Sequence, residues 1–247
     1  MVLALIILFT FLGSITSLLG TLFFLVKKPI AEAFSDQLIS FAAGTLIATA
    51  FLDLLPEAKE AAGDANVFMP VFVGFIIFFL AERFIQLFHH HHAHNNNPST
   101  YLVLIGDAVH NFIDGVSITA SFLASPALGI TTSIAVAAHE IPQEIADMSI
   151  LLTNGLPKSK ALFYNFISAL TALAGALIAF YFSQVVEKYL YVFLGATAGF
   201  FIYISASDLI PELHEKYLRD KKFSHTFFFL FGVIAVFAFT TFFEGFK

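Results

Sequence analysis

The stretch from Tyr101 to Leu123 reads YLVLIGDAVHNFIDGVSITASFL. It is long and apolar enough to cross the hydrocarbon core of a bilayer, which takes about 20 residues of helix. Yet it carries Asp107, His110, Asn111, Asp114 and Ser117. Offsets of three, one, three and three residues put all five on one helical face. The run from Leu128 to Leu152 repeats the pattern with His139, Glu140, Gln143, Glu144 and Asp147, again on one face. Pro142 lies inside that set, which predicts a kink and a freed backbone carbonyl beside the polar residues.

An ionisable group at the centre of a membrane helix costs about 2.5–3.5 kcal/mol on the insertion scale. These two spans hold two histidines and five carboxylates, with no Lys or Arg between their ends. Acid, imidazole and amide oxygen without arginine make a cation site. Protons alone could occupy it, and a proton relay is the competing reading. Two imidazoles favour a borderline dication such as Zn²⁺ over Mg²⁺ or Ca²⁺, which suit all-oxygen sets. His110 with Asp114, and His139 with Gln143, are each spaced i, i+4 and can each reach one ion. Asn111, Glu140 and Glu144 stand beside them, as a second ion position or as groups that orient the imidazoles. Taken singly, Asn111 or Asp147 would serve equally well as interhelical hydrogen-bonding glue.

The rest of the chain agrees with a lipid solvent. Of its 247 residues 58% are hydrophobic and 12% charged, and 33 are Phe. Soluble chains carry roughly 25% charged residues. A net charge of −6 argues against nucleic acid as a partner. The absence of Cys removes disulfides, thiolate metal sites and Cys nucleophiles together. Scanning for apolar runs gives eight: Val2–Val26, Asp36–Glu57, Val67–Phe88, Tyr101–Leu123, Leu128–Leu152, Lys160–Gln184, Tyr189–Leu213 and Ser224–Phe246. Short Pro, Gly, Asn and Ser punctuation between them fits tight helix hairpins. The first run lacks a positive n-region and a small-residue cleavage site, so it reads as a retained span rather than a signal peptide. The expectation is an all-α polytopic bundle of eight transmembrane helices, forming one domain over residues 1–247.

Lys and Arg set the orientation. With the N-terminus outside, the inner loops hold Lys27, Lys28, Arg83, Lys158, Lys160, Lys216, Arg219, Lys221 and Lys222. Only Lys59, Lys188 and Lys247 then lie outside. Both termini are expected outside, with a cytoplasmic loop over about residues 83–100.

Spans two and seven echo one another at an offset of 155. Gly44, Ile47, Asp53, Leu54, Pro56 and Glu57 match Gly199, Ile202, Asp208, Leu209, Pro211 and Glu212. Chance similarity of apolar helices is the plain alternative, but two acids and a proline are rare in lipid. The two spans run in opposite directions, so the pattern predicts an inverted repeat around the central helix pair. Asp53 and Glu57 would line an entrance. Asp107, Asp208, Glu212 and His214 would line an exit.

The strings His110-Asn111-Phe112-Ile113-Asp114-Gly115 and His139-Glu140-Ile141-Pro142-Gln143-Glu144 resemble the fourth- and fifth-span signatures of the ZIP (Zrt/Irt-like) metal transporters. They are closest to the subgroup reading H-N-F-x-D-G and H-E-x-P-H-E. The resemblance covers essentially the whole chain. It implies import of Zn²⁺, and of related ions such as Fe²⁺, Mn²⁺ or Cd²⁺, toward the cytosol by alternating access, with no organic cofactor. It further implies a central metal site at His110, Asn111, Asp114, His139, Glu140 and Gln143, a homodimer, and a place in the plasma or inner membrane. Three departures stand out. Gln143 replaces the usual His or Glu, Thr171 occupies the position of a sixth-span Glu, and Asp53 replaces a His common in span two.

His89–His92 and His94, followed by three Asn, form the one low-complexity segment. Such tracts commonly bind metal, and a plain solvated linker is the alternative. Rival functions are a proton-coupled carrier, an exporter of divalent cations, and an intramembrane zinc hydrolase. The last rests on His139-Glu140 as the start of an H-E-x-x-H motif. Gln143 stands where its second His belongs, and Pro142 interrupts the helix it needs. No enzymatic activity is expected.

Overall fold

The computed structural model describes residues 1–26, 28–90, 98–220 and 223–244, and among these there is no strand. In order come α1 (Val2–Val26), α2 (Lys28–Ala48), a π-helical turn (Thr49–Leu54) and α3 (Leu55–Ala62). Then follow α4 (Phe68–His90), α5 (Pro98–Ala124), α6 (Pro126–Thr153), α7 (Lys158–Tyr181) and a short α8 (Ser183–Lys188). The chain continues as α9 (Leu190–Ile204), a second π-helical turn (Ser205–Leu209), α10 (Ile210–Asp220) and α11 (Ser224–Glu244).

Local chemistry explains the breaks. Between α5 and α6 only Ser125 leaves the helix; its side chain accepts from the Leu128 N–H at 3.2 Å, and Pro126 occupies the first turn. α6 ends where Gly155 takes φ 85°, a conformation open to glycine, and the Leu156 N–H reaches back to the Leu151 carbonyl. The two π turns end at Leu54 and Leu209, two residues before Pro56 and Pro211. A proline cannot donate to the preceding turn, and the wider π turn absorbs the mismatch. Pro142, by contrast, sits inside an uninterrupted α6.

Among the described residues, five helices are long and apolar enough to cross a membrane: Val2–Val26, Asp36–Ala62, Lys158–Tyr181, Leu190–Glu215 and Ser224–Phe242. α5 and α6 have ample length, 27 and 28 residues. The acids and imidazoles of the polar stripe lower their mean hydropathy. The distribution of side chains is that of a lipid-dissolved protein. Phe11, Leu19, Phe231 and Phe237 of α1 and α11 face outward, whereas Asp107, Asn111, Asp114, Glu140 and Glu144 are buried. In lipid the apolar side needs no cover, and the interior is where polar groups find partners.

Helix runs further into the expected loop than the sequence suggests. α4 stays helical to His90 and α5 begins at Pro98, so most of the expected 83–100 loop is helix. The cause is the apolar 68–88 run, whose helix carries on into the first histidines. His91, His92 and His94 lie outside the described residues.

α5 packs chiefly on α7 and α6, α1 on α6, α2 on α11 and α4 on α9. Small residues make the α5–α7 crossing possible. A Cβ on Gly115 would overlap the carbonyl of Ala172, and one on Gly175 would overlap the carbonyl of Phe112. Thr119 donates to the Ala176 carbonyl at 3.2 Å, and Thr171 to the Ala108 carbonyl at 2.6 Å. This crossing fixes the height of the α5 stripe against its neighbours. Gly115→Ala should cost about 1–3 kcal/mol by overpacking. The expected outcome is a lower thermal transition of the purified protein in detergent, with Gly13→Ala, which meets nothing within 4 Å, leaving it unchanged.

Candidate metal centre

The helical stripes of α5 and α6 face one another across the middle of the bundle. His110 and Asp114 project from consecutive turns of α5, and His139 and Glu140 from one turn of α6. The two imidazole Nε2 atoms approach to 3.0 Å. His110 Nε2 lies 3.6 Å from Asp114 Oδ2 and 3.5 Å from Glu140 Oε1. His139 Nε2 lies 3.4 Å from Asp114 Oδ2 and 3.7 Å from Glu140 Oε1. Asp114, His139 and Glu140 are 0%, 1% and 4% exposed.

Those separations have a simple meaning. Four ligands around a tetrahedral zinc with bonds of 2.0–2.1 Å stand about 3.3 Å apart. The five distances above scatter around that edge length. The tautomers point the same way. His139 Nδ1 sits 3.1 Å from the Ala135 carbonyl, which can only accept, so Nδ1 carries the proton and Nε2 presents its lone pair. A second imidazole nitrogen at 3.0 Å then needs a proton or a cation between the two. Two carboxylate oxygens beside them favour a cation.

Aromatic rings hold this geometry from the α4 and α9 side. Phe78 and Phe200 stack at 3.8 Å, and His110 meets each edge-on, at 5.6 and 5.3 Å. His139 lies edge-on to Phe201 at 6.2 Å. These rings fix the imidazole planes and keep water off one face of the cluster.

The remaining expected residues fall into place around it. Asn111 does not turn to the histidines; its amide donates to Asp107 Oδ1 at 2.9 Å and to the Asp107 carbonyl at 3.2 Å. Gln143 lines the cavity onto which both histidines open, and Glu140 stands with His110, Asp114 and His139 in the tight cluster. Glu144 lies one turn further along α6, accepting from Asn165 of α7 at 2.5 Å. Thr171, which stands at the position of the sixth-span Glu, spends its hydroxyl on the carbonyls of Ala108 and Ser168.

Two cavities flank the centre. One of about 540 Å³ runs from His110 and His139 past Gln143 and Asp147 to Asp208 and Glu212, and Asp107 also lines it. A smaller one of about 130 Å³ is lined by Asp53, Glu57 and Glu60. Asp53 accepts from Thr240 at 2.6 Å, and Ser207 donates to Asp208 at 2.8 Å. The acids of spans two and seven therefore belong to different cavities, and only the larger one includes the histidines. His214 is exposed on α10. Three contributors escaped the sequence reading: Glu82, whose carboxylate accepts from the Tyr203 hydroxyl in the wall of the large cavity, Asn165, and the Phe78–Phe200 stack. A single acid within apolar α4 was the one available sign of Glu82.

The sequence profile of the family described as ZIP zinc transporter matches residues 2–100 and 90–240. The chain belongs to the ZIP zinc transporter family. Zinc transporter ZIP10 of Danio rerio is 40% identical over 113 residues, 46% of this chain and 13% of that protein. Zinc transporter ZIP4 of Mus musculus is 42% identical over 122 residues, 49% of this chain and 18% of its own length. An uncharacterized zinc transporter of Schizosaccharomyces pombe is 37% identical over 155 residues, 56% of this chain and 34% of its own length. The matched segments thus span between 13% and 34% of these relatives. Membership in this family of transporters sets aside the zinc-hydrolase reading of His139-Glu140.

If the four-residue cluster of this ZIP chain binds zinc, removing one imidazole should weaken binding severely. Loss of an outer partner alone costs about 10–100-fold, so His110→Ala and His139→Ala should each cost about 100-fold or more. Titration of the purified protein against a chromophoric zinc chelator reads this. Affinity in the wild type should fall as pH is lowered, because the imidazole lone pairs and the carboxylates are then lost to protons.

Proposed function

We propose that this chain carries Zn²⁺ and related dications across the membrane into the cytosol, through a site between α5 and α6. His110, Asp114, His139 and Glu140 hold the ion, and Gln143 stands at the rim where it leaves. The observation that carries this reading is the buried two-imidazole, two-carboxylate cluster on a pair of spans with no Lys or Arg between residues 103 and 153. A dication neutralises what those spans bury.

The proposed architecture has eight spans: α1, α2 with α3, α4, α5, α6, α7, α9 with α10, and α11. Two halves of three spans enclose the central pair as an inverted repeat. In support, α1 packs on α6 as α7 packs on α5, and α2 packs on α11 as α9 packs on α4. The two π turns, each holding an acid and followed by Pro-Glu, end 155 residues apart. Both termini lie outside on the Lys and Arg count. Metal is drawn to Asp53 and Glu57, loses water at the histidine cluster, and leaves past Asp208 and Glu212. The large cavity joins the cluster to the exit acids, so this conformation is the inward-facing one on this reading. An outward-facing state requires the mirror arrangement, in which the small cavity reaches the histidines.

From that rim Gln143 also reaches the ion and tunes its choice. Its amide oxygen is a harder donor than the imidazole of the family pattern, so it favours zinc less strongly over manganese. Gln143→His should shift competition between Zn²⁺ and Mn²⁺ toward zinc by about tenfold, the scale of one good ligand contact. The central test is radiozinc uptake into proteoliposomes, with sidedness set by single cysteines introduced into a chain that has none. Uptake from the face of Asp53 to that of Asp208, lost in His110→Ala with His139→Ala, is the expected result. Wild-type uptake by the double variant refutes the site, and net flow only in the other direction refutes import.

A further inference from the structure

The cavity of about 540 Å³ beside the histidines is larger than a hydrated ion requires. A dication with six waters fills about 180 Å³, at about 30 Å³ for each water. The volume lies instead in the range of about 300–1,000 Å³ that holds small organic ligands. Much of its wall is also of the wrong kind for an ion. Phe24 of α1, Ile39 of α2, Phe78 of α4, Val103 of α5 and Ile145 of α6 all line it. A hydrated metal gains nothing from such surface, whereas a hydrocarbon body leaves water by covering it.

The polar part of the lining carries one sign of charge. Glu82 of α4, Asp107 of α5, Asp147 of α6, Asp208 of the second π turn and Glu212 of α10 all border the cavity. Among the described residues that border it there is no Lys or Arg. Glu82 accepts from the Tyr203 hydroxyl and Asp208 from that of Ser207, but neutral donors leave the net charge of the lining unchanged. A cleft lined by one sign of charge within low-dielectric walls concentrates the opposite sign by about 10–10³-fold and repels its own. Apolar walls studded with carboxylates therefore describe one class of organic ligand, a cation on a hydrocarbon body. They turn away organic anions, including carboxylate chelators that would otherwise enter and carry a metal off.

We propose that the large cavity binds an amphiphilic organic monocation, an ammonium on one aromatic or short alkyl body, and that its occupant bars metal from the exit acids. Binding follows from shape and charge alone; the block rests on the transport reading above. Because α1, α2, α4, α5 and α6 all contribute to the wall, the occupant also wedges these helices apart. It binds only the conformation in which this cavity is open, and so draws the population toward that state.

The test uses the full chain in lipid nanodiscs and 4-phenylbutyl-trimethylammonium, whose charge is permanent, as the probe. Calorimetric titration, with empty nanodiscs subtracted, should show one saturable site per chain. The neutral 4-phenylbutanol and the anionic 4-phenylbutanoate should each bind at least about tenfold more weakly. Ala146 is an exposed residue of the cavity lining, so Ala146→Lys sets a positive charge there without removing any packing. It should weaken the probe by about tenfold or more. In proteoliposomes, the probe at about ten times its Kd should cut radiozinc uptake about tenfold from the Asp208 face and leave it unchanged from the Asp53 face. The proposal is overturned if the alcohol or the carboxylate binds as tightly as the cation, the result expected of an apolar hole alone. It is overturned equally if Ala146→Lys binds the probe as the wild type does, which would put the ligand on the lipid-facing surface. The comparison of the three probes needs no variant to fold. Uptake that proceeds unchanged with the probe bound overturns the block. A chain that binds the probe as expected but moves no zinc without it leaves the cation site standing and counts against the transport reading alone.

Discussion

Buried negative charge without a basic counterpart is the constraint around which this protein is organised. α5 and α6 bring two imidazoles and five carboxylates into the interior of a bundle whose outer surface is apolar. Each such group costs about 2.5–3.5 kcal/mol at the centre of a membrane helix. No guanidinium or ammonium on either helix offsets that cost between residues 103 and 153. Hydrogen bonding offsets part of it, through Asn111 on Asp107 and Asn165 on Glu144. What remains concentrates where His110, His139, Asp114 and Glu140 meet, and there the separations match the edges of a metal tetrahedron.

The surrounding helices make that concentration possible. Gly115 closes the HNFIDG motif and lets α5 lie against the backbone of α7, so a motif glycine next to a ligand is a packing residue. Stacked Phe78 and Phe200 each lie nearly perpendicular to the His110 ring and pack it in place. The same aromatic wall lies on the α9 side of the histidines, where Phe200 and Phe201 are almost wholly buried. On the proposed reading the site must release its ion, so it cannot be sealed on every side. The large cavity along Gln143 and Asp147 is the open one.

The π turns link backbone geometry to chemistry. Each holds an aspartate, Asp53 or Asp208, in a wide turn just before a proline and a glutamate. Wide turns of this kind recur at functional sites because they re-aim side chains and loosen the hydrogen-bond ladder locally. Here they put one acid in each of two cavities. On the proposed reading, this pair of matched weak points is where the two halves adjust as access changes sides.

Much of this was legible in the chain itself. Helix type, the polar faces of α5 and α6, their histidines and acids, and the acidic ends of spans two and seven all follow from spacing, because helical period alone decides which side chains share a face. The α1 boundaries match residue for residue, since no charged residue and no proline interrupts the run from Val2 to Val26. Partners across helices could not be read in the same way. That Glu140 meets both histidines and that Asn165 reaches Glu144 depend on the rotation and height of one helix against another. Those are set by glycine crossings and ring packing between residues far apart in sequence. Periodicity carries no information about them; only the tertiary structure decides them.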